Sequence, residues 1–198
     1  MIKAVLFDAD GVIINAEIFS HQLERDYKIS KDQTLPFFQG VFQNCLIGKA
    51  DLKEELGKFL PEWGWDKSVD EFLNYWFRSG HSVDEDLVEY IKELKPKGIK
   101  VFVGTNNEKH RTEYMINQMG FGQLFDKVYG SGHMGCKKPD HQYFQHIIDQ
   151  EKLSKAEVLF WDDSEENIEA AKEFGIKAEL YIGFEAFKHK MEKYLIEN

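Results

Sequence analysis

The chain has 198 residues, of which 42% are apolar, 14% aromatic and 30% charged. This composition excludes a collagen-like, coiled-coil or largely disordered chain, and the length suits one domain of roughly 100–200 residues with room for a small insert. The 35 acidic and 25 basic residues give a formal net charge of −10. That charge argues against nucleic acid or an anionic membrane as the main partner.

The two cysteines, Cys45 and Cys136, lie far apart in the chain. They make neither a disulfide framework nor a zinc site, so we expect two reduced thiols. No apolar run approaches the roughly 18 residues that a membrane span needs. Asp8 and Asp10 interrupt the segment that would be the apolar part of a signal peptide. We therefore expect a cytoplasmic protein.

Strand and helix patterns alternate along most of the chain. Short apolar runs that end in polar or glycine residues predict buried parallel strands at 2–7, 99–105, 127–132, 157–163 and 177–183. Helical patterns are found at 84–98, 108–121, 139–150 and 164–175, with Pro139 expected in the first turn of the third. This alternation predicts an α/β fold, a Rossmann-like parallel sheet with helices on both faces.

The segment from Ile14 to His81 breaks this alternation, because it shows almost no strand pattern. It contains three helical patterns, at 16–27, 50–60 and 67–77. We therefore predict a core domain formed by 1–14 and 82–198 and a small helical domain formed by 15–81. The last segment, 184–198, has an apolar stripe and is expected to be a helix that packs on the core; the stripe comprises Phe184, Phe187, Met191 and Leu195.

Polar side chains follow four of the predicted strands. They are Asp8 and Asp10, Thr105 and Asn106, Lys137 and Lys138, and Asp162 and Asp163. Ligands of open α/β sheets bind beyond the carboxyl ends of the strands, so these residues predict one polar site. Carboxylates suit a hard cation such as Mg²⁺, while a lysine, a hydroxyl group and loop amides suit phosphate oxygens.

Four of these segments resemble the motifs of one known family. They are FDADGV at 7–12, Thr105-Asn106, Lys138-Pro139-Asp140, and FWDDSEENIEAA at 160–171. In order and spacing they resemble the four motifs of the haloacid dehalogenase superfamily, in its branch of capped phosphatases and β-phosphoglucomutase-like enzymes. The resemblance implies the core fold of that family and makes the helical insert a type-1 cap.

The resemblance also implies catalytic roles. Asp8 would be the nucleophile that forms an aspartyl-phosphate, and Asp10 the general acid and then general base. Lys138 would offset negative charge on the nucleophile and the phosphoryl group. Thr105 and the amide of Asn106 would bind the phosphoryl oxygens.

The metal would be Mg²⁺, held by the Asp8 carboxylate, the Asp10 backbone carbonyl and a carboxylate of the fourth motif. Alignment on Ser164 favours Asp163 as this third ligand with Asp162 in support, and the reverse assignment stays open. A cation beside Asp8 would reduce the repulsion between a carboxylate nucleophile and an anionic phosphate.

These residues predict a phosphatase that hydrolyses a small phosphorylated metabolite, with sugar phosphates as the expected class. Asp10 favours phosphoryl transfer, since the dehalogenase branch lacks an acid at this position. A sugar phosphomutase is the alternative within the family, although Ala16 stands where a mutase threonine is expected. A non-catalytic phospholigand-binding module is the alternative outside it. We expect a monomer or small homo-oligomer.

Some residues have a second interpretation. Thr105 could simply cap the helix that begins near Glu108. Trp63 and Trp65 flank Gly64 and could stack on a substrate or pack the small cap, whereas Trp76 lies on an apolar helical face and is expected in the cap core.

Overall fold

The computed structural model describes residues 1–79 and 81–196. Its strands are β1 (Ala4–Phe7), β2 (Ile14–Ala16), β3 (His81–Val83), β4 (Lys100–Thr105), β5 (Lys127–Gly130), β6 (Val158–Asp162) and β7 (Lys177–Leu180). Five of them form a parallel sheet in the order β5-β4-β1-β6-β7. All five predicted strands are therefore present in this sheet.

The helices are α1 (Phe19–Tyr27), α2 (Lys31–Gln39), α3 (Phe42–Cys45), α4 (Leu52–Phe59), α5 (Val69–Arg78), α6 (Glu85–Leu94), α7 (Lys109–Asn117), α8 (Phe121–Leu124), α9 (Ser131–Met134), α10 (His141–Glu151), α11 (Glu165–Phe174) and α12 (Phe184–Ile196). Among the described residues, none of these helices is long and apolar enough to cross a membrane.

All four residues of the central strand β1 are buried. Because successive side chains of a strand point to opposite sides, both faces of β1 are covered. Val5 and Phe7 belong to one hydrophobic cluster, and Ala4 and Leu6 belong to another. The sheet therefore lies between two apolar layers, as the predicted α/β architecture requires. In register, Phe7 lies beside Val103 of β4 and Trp161 of β6. Asp8, the next residue, therefore lies just beyond the C-terminal end of the central strand.

The C-terminal helix α12 packs on this core as predicted. Phe187 and Met191 are fully buried in the same cluster as Phe7, and Phe184 and Leu195 pack against its edge. Residues 197 and 198 of the predicted segment lie outside the described residues.

Helices α1 to α5 form a separate hydrophobic cluster that is rich in aromatic side chains. Trp63 and Trp65 are 5% and 6% exposed and belong to this cluster. Of their two interpretations, packing is therefore the one the structure supports. Trp76 packs against this cluster as expected, but its side chain is only half-buried and also lines a cavity.

Four elements in the insert or at its ends were not predicted: β2, β3, α2 and the four-residue helix α3. Strands β2 and β3 pair antiparallel where the chain enters and leaves the helical segment, with Ile14 opposite Val83. Each has three residues, too few for a clear alternation. Helix α2 was missed because Pro36 interrupts its sequence, although Ser30 and Gln33 form a capping box at its start.

The prediction that Pro139 lies in the first turn of a helix is wrong. Asp140 is the N-cap residue, whose carboxylate accepts from the backbone of Gln142, and α10 begins at His141. Pro139 precedes the cap and follows a cis peptide bond with Lys138.

Candidate active site

Lys138 lies between two carboxylates at the centre of the strand ends. Its ammonium group is 2.9 Å from Asp8 Oδ1, directly after β1, and 2.6 Å from Asp162 Oδ2, at the end of β6. The Lys138 side chain is 1% exposed. The structure thus brings together three of the predicted residues in one buried charged group.

Asp162 has hydrogen-bond partners in addition to Lys138. Its Oδ1 accepts from the backbone of Ser164 at 2.8 Å and from Asn167 Nδ2 at 3.0 Å. Both of its carboxylate oxygens therefore accept hydrogen bonds within the protein. Ser164 in turn caps α11, which explains how a strand end and a helix start fix this carboxylate.

The charges of this group strongly affect one another. Burial raises the pKa of Asp8 to about 7, although the neighbouring Lys138 opposes this shift. Partial desolvation and the charge of Asp162 also raise the pKa of Asp163. Burial alone would lower the pKa of Lys138, but Asp8 and Asp162 outweigh it, so its pKa is raised and the ammonium stays charged.

Three carboxylates could hold a metal ion. Asp8, Asp162 and Asp163 each offer an oxygen, and these oxygens lie within 4.8 Å of one another. Asp163 is exposed and lies against Gly11, where an added Cβ would be 2.0 Å from Asp163 Oδ2. One buried lysine faces three carboxylates, so the negative charge exceeds the positive charge. An oxygen-preferring cation fits this donor set.

The segment after β4 holds both the predicted residues and one that was missed. Thr105 is buried, and its hydroxyl accepts from Asn107 Nδ2 at 2.7 Å. The same nitrogen lies 2.6 Å from Asp10 Oδ2. Asn107 therefore links Asp10 to the neighbouring strand. A third polar residue in the row Thr-Asn-Asn was the sequence signal for it.

Asn106 supports the lysine loop with its side chain. Its amide donates to the Lys138 carbonyl at 2.8 Å, and its carbonyl oxygen accepts from the Lys138 backbone at 2.9 Å. Glu108, not Thr105, caps α7, because its carboxylate accepts from the backbones of His110 and Arg111. The capping interpretation of Thr105 is therefore wrong.

A cavity of about 320 Å³ lies between this edge of the sheet and the helical insert. Asp10 and Asn107 line it from the core, and Trp76 lines it from the insert. Arg111 also lines it, with Nη2 at 3.9 Å from Asp10 Oδ1. The carboxylate of Asp10 thus lies between the charged group and a cavity that is partly open to solvent.

Comparison with known proteins places this site in a family. A family model described as haloacid dehalogenase-like hydrolase matches residues 5–180. The chain belongs to this family. The predicted superfamily is confirmed by this match, and its α/β core fold is confirmed by the match and by the similar solved structures.

Two relatives of this haloacid dehalogenase-like hydrolase illustrate the range of similarity. The D-ribitol-5-phosphate phosphatase of Bacteroides thetaiotaomicron is 26% identical over 195 residues, which cover 89% of this chain and 90% of that protein. The sesquiterpene phosphatase astK of Aspergillus oryzae is 31% identical over 93 residues, or 47% of each chain. This chain therefore spans about half the length of the second relative.

Solved structures show the same fold. A haloacid dehalogenase-family enzyme from Bacteroides thetaiotaomicron superposes with a TM-score of 0.80 at 20% identity, covering 96% of this chain and 98% of that one. Another structure of that enzyme, in complex with magnesium and inorganic phosphate, has a TM-score of 0.74 at 20% identity, covering 91% of this chain and 94% of that one.

Proposed function

We propose that this protein is a Mg²⁺-dependent phosphomonoester hydrolase that acts through an aspartyl-phosphate on Asp8. The observation that carries the proposal is the buried contact of Lys138 with both Asp8 and Asp162, together with a cavity lined by Asp10, two residues along the chain from Asp8. A nucleophilic carboxylate, a fixed cation and a second carboxylate facing a leaving group are the parts that this reaction needs.

Asp8 is suited to attack phosphorus because its environment holds it in one orientation. Its Oδ1 accepts from the backbone of Ala9 at 2.7 Å and contacts the Lys138 ammonium. The carboxylate forms a bond to phosphorus while the bond from phosphorus to the leaving oxygen breaks. Lys138 offsets the negative charge that accumulates as the two anions approach.

Asp10 is suited to move the proton. It gives a proton to the leaving oxygen in the first step and takes one from water in the second. That water then attacks the phosphoryl group, releases inorganic phosphate and restores Asp8. The hydrogen bond from Asn107 aims the Asp10 carboxylate toward the cavity, where the leaving group would lie. Thr105 and the backbone amide of Asn106 are proposed to bind phosphoryl oxygens.

The Asp8 and Asp163 carboxylates and the Asp10 backbone carbonyl are proposed to hold the metal. Asp162 is assigned a supporting role, because both of its oxygens already accept from Lys138, Asn167 or the backbone. When bound, Mg²⁺ would supply positive charge that neutralises the nucleophile and the phosphate.

We further propose residues 15–81 as a cap domain over the core of 1–14 and 82–198. The separate hydrophobic cluster of α1 to α5 supports this division. The preferred substrates are proposed to be sugar phosphates, supported by the relative named D-ribitol-5-phosphate phosphatase. The buried free thiols Cys45 and Cys136 suit the reducing cytoplasm that we propose as its location.

Release of inorganic phosphate from p-nitrophenyl phosphate and from a panel of sugar phosphates tests the proposed function. We expect turnover with Mg²⁺, none with EDTA and none in Asp8→Asn. Asp66→Asn is the matched control, since Asp66 is an exposed residue of the insert. Turnover that persists in EDTA or in Asp8→Asn would contradict the proposal. Isomerisation of a sugar phosphate primed by a bisphosphorylated sugar would instead indicate a mutase.

A further inference from the structure

The cavity beside Asp10 is lined by a buried side chain with one unpaired polar atom. Gln22, on α1, is 1% exposed and lines this cavity. Its Nε2 donates to the Glu17 carbonyl at 3.2 Å. Its Oε1 accepts no hydrogen bond from any group in residues 1–79 and 81–196. A buried carbonyl oxygen without a donor is unfavourable, so a donor supplied by a ligand would complete it.

An aromatic surface lies in the same cavity. The rings of Phe19 and Trp76 stack with centroids 4.9 Å apart and planes 16° apart, and both side chains are half-buried. Both line the cavity. Such a surface binds the C–H faces of a carbon chain or ring. The cavity therefore combines an apolar surface with an acceptor that needs a donor.

Arg111 provides a fixed donor near Asp10. Its Nη1 donates to the Phe77 carbonyl at 2.8 Å, and its guanidinium lies over the rings of Phe77 and Tyr114. Its side chain is 11% exposed. The remaining N–H groups of the guanidinium can donate to a hydroxyl oxygen of a leaving group that lies beside Asp10.

We propose that Gln22 is a specificity-determining residue that accepts a hydrogen bond from a hydroxyl group of the leaving group. The substrate class is then a phosphate monoester of a polyhydroxylated carbon chain or ring. Its hydroxyl groups donate to Gln22 and accept from Arg111, and its C–H face lies on Trp76. This inference rests on the proposed phosphatase function.

The test compares Gln22→Met, which removes the acceptor at nearly constant length, with the matched control Gln142→Met on the exposed face of α10. The substrates are a pentitol 5-phosphate and phenyl phosphate, which has no hydroxyl donor. We expect kcat/KM for the pentitol 5-phosphate, divided by kcat/KM for phenyl phosphate, to fall at least tenfold in Gln22→Met, mainly because KM for the pentitol 5-phosphate rises. The same ratio should stay constant in Gln142→Met. An unchanged ratio in Gln22→Met would overturn the proposal.

A second measurement uses the unaltered protein, so it does not depend on a variant that folds. Pentitol phosphates that each lack one hydroxyl group are compared with the parent compound. We expect one of them to lose at least tenfold in kcat/KM. Equal activity across the whole series would overturn the role of Gln22. Absence of turnover with every phosphate monoester, including phenyl phosphate, would overturn the proposed function itself.

Discussion

Asn107 Nδ2 lies 2.6 Å from Asp10 Oδ2, although the two residues follow different strands of the sheet. The same nitrogen also reaches the Thr105 hydroxyl, at 2.7 Å. An amide nitrogen carries two protons, so both contacts can be donated at once. One side chain thereby fixes the proposed general acid relative to a proposed phosphate ligand.

Replacing Asn107 should slow the chemical step more than it weakens metal binding. In Asn107→Ala we expect kcat to fall roughly ten- to hundredfold, because Asp10 loses the partner that orients it. Steady-state kinetics and calorimetric Mg²⁺ titration measure the two effects. Asn74→Ala, at an exposed position of α5, is the control. An unchanged kcat, or a parallel loss of Mg²⁺ affinity, would show that Asn107 does not act through Asp10.

Removing the buried lysine should affect stability as well as activity. In Lys138→Met, Asp8 and Asp162 lose the cation that they share, so we expect a loss of about 3–5 kcal/mol in the free energy of unfolding. Urea denaturation in EDTA measures this loss. Activity should also vanish, because the proposed nucleophile would face an anionic phosphate without a fixed cation.

The double variant Lys138→Met/Asp162→Asn separates the two consequences. It removes one of the unpaired charges, so part of the lost stability should return while activity stays absent. Lys172→Met is the control, because this lysine is exposed on α11. Stability losses that simply add in the double variant would be inconsistent with coupling between Lys138 and Asp162.

Mg²⁺ affinity should depend on pH through Asp8. Its pKa of about 7 in the metal-free protein means that a proton competes with the cation as the pH falls below 7. The apparent Kd for Mg²⁺ should rise by up to about tenfold per pH unit in that range. Calorimetric titrations at pH 5.5, 6.5 and 7.5 check this dependence. The highest of these pH values is about half a unit above the pKa of Asp8. An affinity that does not change between them would contradict the assignment of Asp8 as a ligand.

The same shift has a consequence for stability without metal. The native carboxyl of Asp8 keeps its proton to higher pH than the unfolded one, whose pKa is near 3.8. The native state therefore binds more protons than the unfolded state between pH 3.8 and about 7, so the contribution of Asp8 to stability falls as the pH rises through this window. Urea denaturation in EDTA should show this decrease, and Asp8→Asn should remove it.

Both thiols should react slowly in the native protein. Cys45 and Cys136 are 1% and 6% exposed, and burial raises the pKa of Cys45 to about 11 and also raises that of Cys136. Little thiolate is then present at neutral pH. Labelling with a disulfide reagent should be slow in buffer and complete in urea. Rapid labelling of either cysteine in buffer would contradict the buried positions.

The sequence was most informative where the pattern is long and repeated. Each parallel strand is an apolar run that ends in polar residues, so the sheet and the polar site at its edge were both predictable. The three-residue strands β2 and β3 were not, since three residues define no alternation. Helix α2 was hidden by Pro36, which the second turn of a short helix tolerates here.

Residues whose side chains position another site residue were harder to predict. Asn107 and Arg111 reach Asp10 only because β4 lies beside β1 and α7 follows it, which no local pattern reveals. The half-buried position of Trp76 has a similar cause. Its helical face is apolar, but part of that face lines the cavity rather than the cap interior.

Mapping of a covalent phosphate tests the central claim most directly. In Asp10→Asn, p-nitrophenyl phosphate can still form the intermediate, because its weakly basic leaving group needs no general acid. Loss of the general base should then slow hydrolysis of the intermediate, so that rapid acid quenching with this substrate and Mg²⁺ traps it. Peptide mass mapping should then place one phosphate on Asp8, and Asp8→Asn should carry none. A phosphate found on a different residue, or full turnover in Asp8→Asn, would contradict the mechanism.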